Sequence, residues 1–209
     1  NVIKIAESLA DGEFDYEQAI QEIETEARYL VSTKPKSKFS LTEEQQKTQV
    51  VSRICKELIQ NADKYAIRDC QQVINNLNSI NGGNKCSSVR VIVHNLIGRR
   101  QYEQAYKICD ENMEPIKSMN DLNNPNNKYI QSLKKDVISK QLSEKVMEVI
   151  ESDMYMDSAI NVMTFVEDTM KKERLGPGAI KLGDTADGLT TITLGDIYTS
   201  ESNKKNKMH

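Results

Sequence analysis

Apolar residues recur at helical spacing along most of the chain, and most clearly between residues 87 and 113. A first stripe follows the i, i+3, i+4, i+7 and i+8 spacing of one helical face, at Val89, Ile92, Val93, Leu96 and Ile97. A second stripe follows at Tyr102, Ala105, Tyr106, Ile108 and Cys109. Because Gly98, Arg99 and Arg100 separate the stripes, the pattern predicts two helices in an antiparallel hairpin with a short joint.

The first helix of this hairpin has a competing interpretation. Residues 89–93 alternate as a strand would, and the run is rich in β-branched side chains. The helical stripe nevertheless continues through Leu96, which favours a helix. Ser87 or Ser88 is placed to cap the first turn of that helix.

The same spacing predicts further helices over residues 3–10, 15–31, 42–62, 64–80, 130–150 and 156–175. Asp15 is expected to cap the second of these, and Thr42 with Gln45 has the spacing of a capping box. Glycine tolerates the left-handed conformation that ends many helices, so the segments 81–84 and 176–178 are expected helix ends. The lysine-bearing segment 32–40 and the polar run 120–128 are predicted loops.

The pattern changes after residue 178. Two short β-prone runs, residues 179–182 and 189–194, flank the turn-forming sequence at residues 184–188. The last residues are too polar to order themselves. The predicted fold is therefore mostly α, with antiparallel helical hairpins in a bundle or a short helical-repeat stack and a short β-prone C-terminal arm. We expect a helical domain at residues 1–175, the arm at 176–200 and a disordered tail at 201–209.

A weak internal repeat runs through the helices. Residues 16–19 and 102–105 both read Tyr-Glu-Gln-Ala, and residues 156–160 are a looser copy. With Gly98 closing one helix and Tyr102 and Ala105 opening the next, the central hairpin resembles one hairpin of the tetratricopeptide repeat. The two shared alanines are 86 residues apart, which is not a multiple of that repeat's period of about 34, and Pro115 is out of register. A generic stack of helical hairpins matches the pattern equally well.

The charge balance and the cysteine positions limit the classes of protein to which this chain can belong. The 209 residues include 28 basic and 31 acidic side chains, for a net charge of −3. This balance gives no bulk attraction to nucleic acid or to a membrane, and no apolar run is long enough to span a bilayer, so no membrane partner is expected. The four cysteines lack metal-site or CxxC spacing, and we expect free thiols with Cys55, Cys70 and Cys109 buried. Free thiols indicate a reducing, intracellular compartment, either cytoplasmic or nuclear.

The sequence lacks the motifs of common catalytic sites. GxSxG, HExxH and glycine-rich nucleotide fingerprints do not occur, and neither do the ExxH pairs of di-metal helical bundles. His94 is the only internal histidine and is expected to be exposed or in contact with a partner. We therefore expect a protein that is not an enzyme, with no catalytic residues, no cofactor and no metal.

The expected function is that of a helical protein–protein interaction module, acting as a scaffold or adaptor and as a subunit of a larger assembly. The candidate partner-binding residues lie at the central joint and in the arm: Arg90, His94, Arg99, Arg100, Ile180, Leu182, Ile192 and Leu194. The arm has no sheet of its own to join, so its backbone is predicted to pair with a strand of another chain. The competing expectation is that its two runs pair with each other and cover an apolar groove.

The alternative function belongs to another class. Arg90, Arg99 and Arg100 cluster in sequence around the central joint, which is typical of a nucleic-acid-associated regulatory or viral accessory protein with a basic surface. The expected partner is another protein, which includes a second copy of this chain. A nucleic acid is the less favoured partner.

Overall fold

A computed structural model describes residues 1–207, apart from the side chain of Leu122. In this part of the chain the α-helices are α1 (Val2–Asp11), α2 (Tyr16–Thr33), α3 (Glu43–Gln60), α4 (Cys70–Ile80), α5 (Lys85–Gly98), α6 (Tyr102–Asn112), α7 (Pro125–Glu151), α8 (Met156–Glu173) and α9 (Leu194–Asn206). The strands are β1 (Lys181–Asp184) and β2 (Thr191–Thr193), and short 3-10 turns span Asp121–Asn123 and Pro177–Ala179. The predicted fold class, mostly α with a short β arm, is confirmed.

The chain packs as two compact units, residues 1–133 and residues 134–209. The boundary falls within α7, whereas the sequence suggested a boundary near residue 175. Hydrophobic periodicity marks where a helix ends, but it does not reveal which neighbours that helix packs against.

Helices α3 and α5 form the centre of the first unit. α3 packs against α1, α2 and α5, while α5 packs against α3, α4 and α6. The five residues predicted to share one packed centre all have 0% exposure: Ile54, Leu58, Ile92, Leu96 and Ala105. The helical phase taken from the sequence is therefore correct for these three helices.

Helices α2 and α3 form an antiparallel hairpin joined by ion pairs. Arg28 lies 3.1 Å from Glu43, and Glu24 lies 3.4 Å from Lys47, so residue numbers fall along one helix as they rise along the other. The predicted caps are present, because Asp15 accepts from the backbone of Gln18 and the capping box of Thr42 and Gln45 is complete.

The helix predicted over residues 64–80 is wrong in its first part. Helix α4 begins only at Cys70, where the Asp69 side chain accepts a 3.0 Å hydrogen bond from the backbone N–H of Gln72. Tyr65 and Ile67 are buried although they lie outside the helix. Their burial explains the misleading pattern, since apolar residues in a well-packed link can continue the spacing of the helix that follows.

The central hairpin is helical, and the strand interpretation of residues 89–93 is wrong. Helix α5 begins earlier than predicted, at Lys85, and the residue that caps it is Asn84, which accepts a 3.0 Å hydrogen bond from the backbone N–H of Ser87. Ser88 is buried instead, and its hydroxyl donates to the Asn84 carbonyl at 3.2 Å.

The joint between α5 and α6 depends on a close contact. A Cβ atom added to Gly98 would lie 2.9 Å from the Cβ atom of Ala62, which is closer than such atoms approach. The left-handed position in this joint is taken by Arg100, with φ of 57°. Gly98 thus allows close packing, and it does not supply the left-handed turn.

The polar run at residues 120–128 is only partly a loop. The Asp121 carboxylate accepts hydrogen bonds from the backbone N–H groups of Lys117 and Ser118, at 2.8 and 2.7 Å. Helix α7 then begins at Pro125, a residue type that suits the first helical position because its missing N–H would have no helical partner. The asparagine-rich composition concealed this helix start.

The second unit has its own apolar core. Its buried residues come from α7, α8 and the C-terminal segment: Val137, Ile138, Leu142, Val146, Val166, Met170, Ile180 and Leu194. Strands β1 and β2 pair antiparallel. The Ser143 hydroxyl on α7 donates a hydrogen bond to the backbone carbonyl of Lys181, so the hairpin is attached to α7.

The C-terminal residues continue as a helix, where a tail was expected. Thr193 and Asp196 form a capping box at the start of α9, and residues 201–206 are its last turns. The disorder predicted for 201–209 is not found over those residues, and residues 208–209 lie outside the described part. Thr-x-x-Asp is a recognisable helix start, but the polarity of the following residues outweighed it.

Candidate interaction surface

Of the four candidate residues at the central joint, Arg90 and His94 lie on α5, and Arg99 and Arg100 follow its last residue. Arg90 and Arg100 are exposed, while His94 and Arg99 are half-buried. Nine residues, or two and a half helical turns, separate Arg90 from Arg99, so the two side chains leave opposite sides of the helix. Arg90 and Arg99 therefore do not share one side of this hairpin.

Each of these two arginines lies near a different cysteine. Burial raises the pKa of the Cys55 thiol, and the positive charge of Arg90 partly offsets that rise. Burial likewise raises the pKa of Cys70, with Asp69 adding to the shift and Arg99 opposing it. A raised pKa means less thiolate at neutral pH, which is the opposite of what a nucleophilic cysteine requires.

The four cysteines are free thiols, as predicted. Cys70 and Cys109 are buried, but Cys55 is only half-buried, as is Cys86. The expectation of a fully buried Cys55 is thus wrong, because this residue lies at the edge of the apolar stripe of α3.

The four arm candidates divide into two pairs. Ile180 and Leu194 are buried in the core of the second unit. Leu182 is half-buried and Ile192 is exposed. The two β-prone runs pair with each other. Of the four candidates, Leu182 and Ile192 remain accessible to a partner in this fold.

A groove of about 330 Å³ lies in the first unit, between α2, α3 and the end of α4. Its floor is apolar, with Ile23, Val51 and Ile80 buried. At its rim Lys47 Nζ lies 2.9 Å from Glu44 and 3.4 Å from Glu24, and the hydrogen bond that Lys47 donates to Glu44 is the main reason that the pKa of Lys47 is raised. Arg28, 3.6 Å from Glu24, supplies the second positive charge. Because the two carboxylates are thus paired with two cations, the groove offers little electrostatic selectivity to a ligand.

A group of exposed apolar side chains lies in the second unit, at the turn from α7 to α8. We call residues 147–160, together with Met163, the α7–α8 surface. Four large apolar side chains there have high exposed fractions: Ile150 (54%), Tyr155 (87%), Met156 (78%) and Ile160 (55%). Met156 and Ile160 are four residues apart on α8, so they lie next to each other on one face of that helix.

The α7–α8 surface is also strongly acidic. It contains Glu148, Glu151, Asp153 and Asp157, all exposed, and it contains no lysine, arginine or histidine, which gives it a formal charge of −4. Within the described residues none of these four carboxylates takes part in an ion pair. Four of the eight methionines of the chain lie here as well, at Met147, Met154, Met156 and Met163.

The apolar spacing that predicts α8 does not show which of its apolar residues are exposed, so this surface was missed. Val166 and Met170 do face the core, but Met156 and Ile160 at the start of the helix do not. The absence of basic residues between Lys145 and Lys171 was a visible sign of an unusual surface.

No group of three or more His, Cys, Asp or Glu side chains in residues 1–207 is arranged to hold a metal ion. No helix in that range combines the length and the apolar character needed to cross a membrane.

Comparisons with protein-family models, with curated proteins and with solved structures found no match for this chain.

Proposed function

We propose that this protein is a non-catalytic helical interaction module, a scaffold or adaptor subunit that binds another protein through the α7–α8 surface. The observation that supports this most strongly is the exposure of four large apolar side chains within eleven residues, Ile150 to Ile160. Single exposed apolar residues are common on protein surfaces. A group of them rimmed by charged residues is instead typical of an interaction site.

The position of the surface supports the same function. Met156 and Ile160 lie on the first two turns of α8, a helix whose Val166 and Met170 are anchored in the core of the second unit. Side chains on an anchored helix lose less conformational entropy on binding than side chains on a loose segment. Burying an apolar side chain of this size on a partner contributes about 1.5–3 kcal/mol.

The test compares two variants that add the same charge to neighbouring positions. Ile160→Asp places a carboxylate within the apolar group, whereas Asn161→Asp places one on an exposed residue about 100° further around α8. Proteins captured by the tagged chain from an extract of the cells that express it are quantified by mass spectrometry. Partners should be retained by the wild-type chain and by Asn161→Asp, and lost by Ile160→Asp.

Two results would contradict the proposal. One is that Ile160→Asp retains the same partners as the wild-type chain, and the other is that the wild-type chain captures nothing above a tag-only control. Thermal unfolding of both variants is the folding control, and since Ile160 is 55% exposed the midpoints should match that of the wild-type chain.

A second candidate, single-stranded nucleic acid, is supported by the loop between α2 and α3. Lys34, Lys36 and Lys38 are exposed there, and Phe39 is 92% exposed. A short turn fixes the loop, with the Ser37 backbone N–H donating to the Ser40 hydroxyl at 2.7 Å. Lysines beside an exposed aromatic ring are suited to binding phosphates and stacking a base.

Retention on immobilised single-stranded RNA at moderate salt tests this second candidate. Salt-sensitive retention that Phe39→Ala weakens would favour a nucleic-acid partner. Retention that is absent, or that Phe39→Ala leaves unchanged, would count against this loop as a nucleic-acid site.

A further inference from the structure

We propose that the α7–α8 surface binds a basic amphipathic helix, a partner segment with one apolar face flanked by lysine or arginine. This inference rests on the proposed function and names the chemistry of the partner. Three properties of the surface support it: its apolar residues, its methionines and its uncompensated negative charge.

The exposed apolar residues of the surface come from two helices and the link between them. Met156 and Ile160 are adjacent on α8, while Ile150 and Tyr155 lie at the end of α7 and in the link before α8. An incoming helix presents apolar residues at i, i+3, i+4 and i+7, and such a face docks onto an apolar surface between helices.

The methionines make this surface adaptable. Met156 is exposed, and Met147, Met154 and Met163 are half-buried around it. A methionine side chain is unbranched and polarisable, so it can repack against partner side chains of different shapes. Such a surface is suited to recognising a class of helices that share a pattern of residues, without requiring one fixed sequence.

The negative charge of the surface favours a partner segment with positive charge. Glu148, Glu151, Asp153 and Asp157 are exposed and alternate along the chain with the apolar residues, and the same surface contains no lysine, arginine or histidine. The chain as a whole is close to neutral at −3, so the charge of −4 is a local property of this surface. Basic groups flanking an apolar face would meet these carboxylates, which raises the association rate and favours basic partners over acidic ones.

The same charge disfavours two other occupants. A symmetric dimer through this surface would place eight carboxylates at one interface, since a two-fold contact uses the same patch on both copies. An anionic lipid surface would be repelled as well. A basic helix of another protein is the occupant that satisfies both the apolar and the acidic parts.

The test titrates the full chain with two synthetic peptides of about 18 residues, long enough for five helical turns. Both carry leucine at the same apolar positions, and they differ in having lysine or glutamate at all the others. Binding is measured by calorimetry at about 0.15 M salt, where the Debye length is about 8 Å. The lysine peptide should bind at least about tenfold more tightly than the glutamate peptide, and its affinity should fall as salt is raised.

Variants of the α7–α8 surface test whether the peptides bind there. Glu151→Gln and Asp157→Asn should each lower the affinity for the lysine peptide about twofold to fivefold, as expected for the loss of an exposed ion pair. Ile160→Asp should weaken the binding of both peptides because it disrupts the apolar contact. Glu103→Gln, on an exposed residue of α6 in the first unit, is the matched control and should leave affinity unchanged.

The outcomes separate this inference from the proposed function. Equal binding of the two peptides, binding of neither, or binding that the Glu151, Asp157 and Ile160 variants leave unchanged would overturn the basic-helix proposal. If Ile160→Asp still abolished capture of cellular partners, the interaction function would stand and only the partner class would be wrong. Self-association of the chain that Ile160→Asp abolishes would assign the surface to a second copy and also overturn the inference.

Discussion

Asn95 is a buried polar residue on the inner face of α5, and it connects α5 to the end of α3. Its side-chain amide donates hydrogen bonds to the carbonyls of Leu58, at 2.7 Å, and Tyr65, at 3.2 Å. The Leu58 carbonyl is one of the last four of α3, which have no partner within their own helix. Asn95 therefore fixes both the end of α3 and the link that leads to α4.

We expect Asn95→Leu to lower the free energy of unfolding by about 1–3 kcal/mol, because it leaves two buried carbonyls without a donor. Chemical denaturation measures the change. Asn161→Leu on an exposed position of α8 is the control and should change stability by less than about 0.5 kcal/mol. Equal effects of the two substitutions would show that the Asn95 hydrogen bonds contribute nothing specific.

The four cysteines should react with a thiol reagent in two groups. Half-buried Cys55 and Cys86 are expected to react before buried Cys70 and Cys109. Burial raises the pKa of Cys55 and Cys86, so the reactive thiolate is depleted at neutral pH and becomes more abundant as pH rises. Their alkylation rates, followed by peptide mass spectrometry, should keep increasing above the ordinary thiol pKa of about 8.5. In denaturant all four should react alike, and a native chain in which Cys109 reacts first would contradict the burial pattern.

At the scale of elements, the contact between α3 and α5 should dominate the stability of the first unit. Leu58 and Leu96 are both fully buried there. Leu58→Ala and Leu96→Ala should each lower the free energy of unfolding by about 2–5 kcal/mol, the usual effect of removing buried leucine atoms. Leu189→Ala is the control, since Leu189 is 85% exposed. An unchanged denaturation midpoint in either core variant would contradict the assignment of these residues to the core.

The joint between α5 and α6 can be tested through the contact of Gly98 with Ala62. Alanine is the better helix former by about 1 kcal/mol, so propensity alone predicts that Gly98→Ala stabilises α5. The 2.9 Å approach to the Ala62 Cβ atom predicts the opposite, a loss of about 1–3 kcal/mol. Adding Ala62→Gly removes the blocking atom. The double variant should therefore lose less free energy of unfolding than the sum of the losses in the two single variants. Additive effects in denaturation experiments would show that the contact is not the cause.

The elements that could be predicted from the sequence are those specified by neighbouring residues. The capping box of Thr42 and Gln45 and the cap at Asp15 involve groups three residues apart, so local spacing is sufficient to identify them. The start of α4 could not be predicted in this way, because buried Tyr65 and Ile67 continued its apolar pattern through a link that Asn95 organises from 30 residues away. Long-range contacts of this kind do not affect the hydrophobic periodicity of the sequence, so they cannot be predicted from it.

The candidate surface was harder to predict than the fold. Periodicity groups Met156 and Ile160 with Val166 and Met170 on α8, but only the packed structure shows that the first pair lacks a covering neighbour within the described chain. For the arm, the sequence indicated two β runs but left open whether they pair with another chain or, as the structure shows, with each other. It could not show that Ile180 and Leu194 complete the core of the second unit.

At the scale of the whole molecule, the C-terminal segment has a structural role in the second unit. Ile180 is fully buried and Leu194 nearly so, and Ser143 on α7 donates a hydrogen bond to the Lys181 carbonyl. Residues 201–206 are exposed by comparison. The hairpin and the start of α9 should therefore stabilise the unit, whereas the end of α9 should not.

Two truncations test this division. Deleting residues 178–209 removes both Ile180 and Leu194 from the core, and it should lower the free energy of unfolding by about 4 kcal/mol or more, since removing even part of one such side chain costs about 2–5 kcal/mol. Deleting residues 201–209 removes no side chain that is described as buried, and it should leave the unfolding midpoint nearly unchanged. The stability of both truncated chains is measured by thermal unfolding, with circular dichroism as the signal, and by limited proteolysis. If the longer deletion leaves helicity and melting unchanged, the hairpin is not part of the core, and Ile180, Leu182, Ile192 and Leu194 become available to a partner as a detachable arm.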